Sequence, residues 1–93
     1  MGYIILFEQT VDIERIEQIV NLFGNFDANI KQIEKRYSVS ITSNGNCIRI
    51  KGDTENVLSA KRTVEGLIVM INKGEQITDQ NIEYVASLVE DGK

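Results

Sequence analysis

Proline and histidine are both absent from these 93 residues, and cysteine occurs once. Without proline there is no Pro-rich linker, and helices can run unbroken. The lone Cys47 excludes an internal disulfide, and with no histidine the usual zinc sites are excluded too. Long apolar runs are also missing, since nothing approaches the roughly 18 residues of a membrane span. The opening MGYIILFEQT has a short apolar run, but no basic flank before it and no small-residue cleavage site after it. It reads as a strand rather than a signal peptide. A reducing, cytoplasmic setting with no membrane partner is the expectation.

What is present suits one small soluble domain over residues 1–93. Hydrophobic content is 42% and charged content 26%, ordinary values for a globular chain. The net charge of −4 argues at first against nucleic acid, but its distribution is uneven. Residues 1–30 carry one basic and five acidic residues, and residues 63–93 carry two and six, so each end nets −4. The middle third, 31–62, carries seven basic residues (Lys31, Lys35, Arg36, Arg49, Lys51, Lys61, Arg62) against three acidic ones, a net of +4. That asymmetry points to an anionic partner for the middle third, or to chance clustering of solvated charges.

The run YIILF (3–7) suits a strand. Asp12 then precedes a helix with Ile13, Ile16, Ile19, Val20 and Phe23 as its apolar face. Gly24 ends that helix. Asp27 can cap a second helix carrying Ile30 and Ile33, with Lys35 and Arg36 in its last turn. From Val39 the period becomes two: Val39 and Ile41 face one way, Ser38, Ser40 and Thr42 the other. Asn44-Gly45 predicts a type I′ hairpin, and the returning strand sets Ile48 and Ile50 against Cys47, Arg49 and Lys51. Gly52-Asp53-Thr54 caps a third helix with Val57, Ala60, Val64, Leu67, Ile68 and Ile71 inside. Gly66 within it costs roughly 1 kcal/mol relative to alanine, for which close helix–sheet contact would compensate. Lys73-Gly74 ends it, and Thr78 or Asp79 caps a last helix bearing Ile82, Val85, Ala86 and Val89. The class is therefore α+β, in the order β-α-α-β-β-α plus one helix, with the helices on one face of a three-stranded sheet.

The stretch LFGNFDANIKQIEKRYSVSI (22–41), with SNGNCIRIKG (43–52) and KGEQITDQNIEYV (73–85), resembles a type I KH domain, and in particular the N-terminal domain of PhoH-like proteins. The resemblance implies a KH-like core over 3–73, and an extra helix at 78–89 leading to a P-loop ATPase domain. The chain has no GxxxxGK[ST] motif, so ATP and magnesium are expected only in that other domain, and this chain is expected to hold no cofactor and catalyse nothing. RNA is the partner the resemblance implies.

In KH domains a GxxG loop approaches consecutive phosphates and opens onto a helix N-terminus. The matching residues are Gly24, Asn25, Phe26 and Asp27, with Asp27 where the second glycine belongs. Its carboxylate can cap the helix, and it would repel a phosphate by about 1 kcal/mol in a water-like dielectric. Lys31, Lys35, Arg36, Arg49 and Lys51 are the candidates for holding a ribose-phosphate chain, with Glu34 diluting their field. Ile30, Ile33 and Ile41 are either core or an apolar groove for bases. Phe26 either stacks on a base or packs as an anchor, and Tyr37 is equally open. The first strand carries apolar residues on both faces (Ile4 and Leu6 against Tyr3, Ile5 and Phe7), so one face needs cover from the last helix, a second subunit or the ATPase domain. Two functions compete: a module for single-stranded RNA, and a KH-shaped scaffold that docks on the ATPase domain or assembles subunits.

Overall fold

The computed structural model describes residues 6–92. Three strands and four helices follow in the order β1 (Phe7–Asp12), α1 (Ile16–Phe23), a 3-10 turn (Asn25–Asp27), α2 (Ala28–Tyr37), β2 (Ser40–Asn44), β3 (Cys47–Gly52), α3 (Thr54–Asn72) and α4 (Asp79–Glu90).

The sheet is antiparallel in the order β1-β3-β2, so the last strand in sequence lies at its centre. Alternation assigns the two faces. Ile48 and Ile50 of β3, Ile41 of β2 and Val11 of β1 are buried beneath the helices. Glu8, Thr10, Thr42 and Lys51 are exposed on the other face. Among the described residues the first strand runs over 7–12, meeting the expected 3–7 only at Phe7, and β3 supplies its partners from Gly52 back to Cys47. Tyr3, Ile4 and Ile5, on which the expectation of a two-faced apolar strand rested, lie outside the described residues. The hairpin also differs from expectation. Asn44 pairs with Cys47, leaving Gly45 and Asn46 as the two central residues, and only Gly45 has a positive φ (67°). That is the pattern of a type II′ turn, which asks for glycine at its first central position.

Helix α3 is the backbone of the core. Val57, Ala60, Val64, Leu67 and Ile71 recur at intervals of three and four, and all are buried. Gly66 serves α4 rather than the sheet: a Cβ added there would lie 2.7 Å from Val85 Cγ1. Thr78 caps α4, its hydroxyl accepting from the Asn81 N–H, and Ile82, Val85 and Ala86 turn inward. Asp53 sits before α3 without a side-chain capping bond.

Helix α1 overturns its predicted face. It begins at Ile16, not after Asp12, because Ile13 continues the sheet and donates its N–H to the Asn46 carbonyl at 2.7 Å. Gln18 is buried at 4% exposure, while Ile16 and Val20 stand 67% and 62% exposed. The cause is hydrogen bonding. Gln18 Oε1 accepts from the Glu14 and Arg15 N–H groups, and its Nε2 donates to Asn72 Oδ1 at 2.8 Å. One amide thereby satisfies the start of α1 and ties it to the end of α3, turning Leu22 inward with it.

Candidate nucleic-acid interface

The connection between α1 and α2 is tight and left-handed. Gly24 has φ 77°, and a Cβ there would come within 2.6 Å of Asn29 Nδ2, which donates to the Asn21 carbonyl. The positive φ asks for glycine, and a side chain there would also push the Asn29 amide off the Asn21 carbonyl. Phe26 (φ 55°) and Asp27 (φ 60°) follow in left-handed conformations that cost an L-residue roughly 1–2 kcal/mol each. Phe26 is 96% exposed. The reading in which it packs as an anchor is thus corrected: the loop holds an aromatic ring in solvent.

Asp27 occupies the position before α2, but its carboxylate makes no capping hydrogen bond. Left-handed backbone replaces the extended conformation in which a capping side chain folds back on the next N–H groups. The expected cap is therefore absent, and the first N–H groups of α2 are not met by it.

The five candidate cations separate into three sets. Lys31 and Lys35 are exposed on α2, and no carboxylate lies within ion-pairing distance of either among the described residues. Arg36 is committed elsewhere: its Nε donates to Glu90 at 2.8 Å and its Nη1 to Glu83, both on α4. Those bonds, Glu90 first and then Glu83, raise the guanidinium pKa above its ordinary value, and the Arg36 bond holds Glu90 below the usual carboxylate range. Arg49 and Lys51 point to the outer face of the sheet, 3.2 and 3.6 Å from the Glu8 carboxylate. The sheet separates them from the loop, which is carried by helices on the opposite face. Period-two alternation already implies that split, since Ile48 and Ile50 are buried.

Ile30, Ile33 and Ile41 are core residues. Tyr37 is buried as well, its hydroxyl 2.7 Å from Thr63 Oγ1, which in turn donates to the Ser59 carbonyl. The exposed apolar side chains of α1 are instead two residues assigned to the core by spacing, Val20 and Ile16. Val20 helps line an open, mostly polar groove of about 430 Å³ beside the loop, with Asn21, Gly24, Asn25, Asn29 and Gln76. Ile16 lies toward the hairpin tip at Gly45 and Asn46. The signal for this was Gln18, one polar residue inside the supposed apolar arc. Cys47 is half-buried, and no cluster of potential metal ligands occurs among the described residues.

No family model matches the chain. A PhoH-like protein of Bacillus subtilis is 31% identical over 72 residues, which is 77% of this chain and 23% of that protein. The chain spans only about a fifth to a quarter of the length of such relatives, consistent with one small N-terminal domain. Among solved structures, repeat 6 of vigilin is 30% identical, with 71% of this chain and 99% of that one covered, at a TM-score of 0.61. The first type I KH domain of human vigilin superposes over 85% of this chain and 88% of its own, at 19% identity and a TM-score of 0.62. A chain of the a/eIF2alpha–aDim2p–rRNA complex from Pyrococcus horikoshii matches over 86% of this chain and 45% of its own, at 22% identity and a TM-score of 0.62. With the sheet order, the glycine loop and these likenesses in agreement, this chain has the type I KH fold and belongs with the PhoH-like proteins, as a KH-like domain of them.

Proposed function

We propose that the chain is a binding module for single-stranded RNA, of low sequence specificity, that serves an ATP-dependent PhoH-like protein and catalyses nothing itself. The observation that carries the reading is the loop from Gly24 to Asp27. It projects a solvated Phe26 at the start of α2, one turn from Lys31 and two from Lys35. Bases stack on aromatic rings with little regard to sequence, at about 1–3 kcal/mol per base, while lysines and helix N–H groups follow the phosphates. One structural neighbour comes from a complex containing rRNA. ATP and magnesium would belong to the rest of the polypeptide, and the setting would be cytoplasmic. Among the described residues no helix is long and apolar enough to cross a membrane.

A second reading, a KH-shaped scaffold, is favoured by one feature. Between α3 and α4 lies an open groove of about 650 Å³, lined by Val69, Met70, Tyr84, Val85 and Leu88, with Val69 and Tyr84 exposed. It suits docking against the ATPase domain or a second subunit.

Asp27→Gly separates the two. Glycine adopts the left-handed backbone freely, no capping bond is lost, and one negative charge leaves the loop. The variant should melt no lower than wild type and bind single-stranded RNA roughly fivefold tighter, about 1 kcal/mol of relieved repulsion. A well-folded variant that still ignores RNA at low salt would leave the scaffold reading standing.

A further inference from the structure

Glu34 holds two backbone donors at the beginning of β2. Its carbonyl accepts from the Val39 N–H at 3.1 Å, and its carboxylate Oε2 accepts from the Ile41 N–H at 2.7 Å. β2 is an edge strand with β3 on its other side, so the Ile41 donor faces away from the sheet. Such donors are ordinarily open to solvent or to another chain. Nothing in the fold obliges a carboxylate to fill this place, because water satisfies an edge N–H equally well. Position matters too. At about 100° per residue, Lys31 and Glu34 fall roughly 60° apart on α2, so this carboxylate shares a flank with the lysine one turn beyond the candidate RNA loop.

We propose that Glu34 is a latch on the sheet edge, occupying the Ile41 N–H until RNA displaces it. The inference rests on the RNA-binding reading above. An edge strand offers alternating N–H donors and carbonyl acceptors, which match the hydrogen-bonding edge of an unstacked base. With the latch closed, the Ile41 position has no donor to offer, and a negative charge stands where a ribose-phosphate chain would pass. The latch lowers affinity for RNA and at the same time keeps the edge from pairing with a strand of another molecule.

The test uses Glu34→Ala and Glu34→Gln in the 93-residue chain, with hydrogen exchange at the Ile41 amide, titration of labelled single-stranded RNA, and sedimentation. Alanine opens the latch: the Ile41 amide should exchange faster and RNA should bind about tenfold tighter, equivalent to about 1.4 kcal/mol. Glutamine keeps an acceptor oxygen but no charge, so the amide should stay protected and the gain in affinity should be smaller. Equal gains in the two variants would overturn the latch in favour of charge alone. Wild-type binding left unchanged by Glu34→Ala would also overturn it, as would self-association of that variant with no gain for RNA. If neither wild type, the Glu34 variants nor Asp27→Gly binds RNA, the RNA reading itself fails and takes the latch with it.

Discussion

Helices α1 and α3 carry similar apolar spacing and put it to opposite use. In α3 Val57, Ala60, Val64, Leu67 and Ile71 of the apolar stripe are buried and Ile68 is half-buried, while solvent meets Glu55, Arg62 and Glu65. In α1 the stripe from Ile16 to Phe23 is rotated part-way outward, leaving Ile16 and Val20 in solvent, Ile19 and Phe23 half-buried and Gln18 inside. The difference is one of hydrogen bonding: α3 has no polar group competing for its buried face, apart from Thr63, which is satisfied by Tyr37 and Ser59. Gln18 can satisfy the start of α1 only by going in. Periodicity therefore reports burial where nothing else constrains the helix, and reports exposed apolar surface where a buried polar bond fixes the rotation.

The largest expected effect is on the buried side of this comparison. Leu67→Ala deletes a fully buried side chain of α3 and should cost about 2–5 kcal/mol by chemical denaturation. A loss under 1 kcal/mol would mean that the α3 face is not the packed core described. On the exposed side, Phe26→Ala should leave the melting temperature within a degree or two and weaken single-stranded RNA by about 1–3 kcal/mol, the contribution of one stacked base. The opposite pattern, lost stability with unchanged binding, would return Phe26 to the role of a packing anchor. The smallest effect tests the back of α3. An exposed helical glycine gains about 1 kcal/mol on replacement by alanine. At Gly66 the new methyl meets Val85, a stiff β-branched neighbour, so Gly66→Ala should instead lower stability by about 1 kcal/mol. A stabilised variant would show that α4 yields easily.

Much of the fold was legible because it follows from local pattern. The alternation at Val39–Ile41 and Ile48–Ile50 and the three-four spacing of α3 each have a single physical solution, and of the two caps offered for α4, Thr78 and Asp79, the structure uses Thr78. The register of β1 was hidden, since Glu8, Gln9 and Thr10 look unlike a strand until β3 pairs with them. The hairpin type was hidden by one residue of register, which moved Gly45 from the second central position to the first. In the candidate site, the loop and the free lysines of α2 could be read from sequence. The commitment of Arg36 to Glu83 and Glu90 could not, because those partners lie about fifty residues away. Nor could the Glu34 bond to Ile41, which arises only once α2 lies beside β2, or the left-handed backbone that denies Asp27 its cap.

The central claim is that α2 and its loop hold the phosphates, and the salt dependence of binding tests it most directly. Labelled single-stranded RNA should be titrated with wild type and with the Lys31→Ala/Lys35→Ala double variant across a range of salt. Each phosphate contact contributes about 0.7 to the log–log slope for a single strand, so losing two lysines should flatten it by roughly 1.4 and weaken binding alike for every sequence. A wild-type slope that the double variant leaves unchanged would place the RNA elsewhere on the molecule and contradict the account.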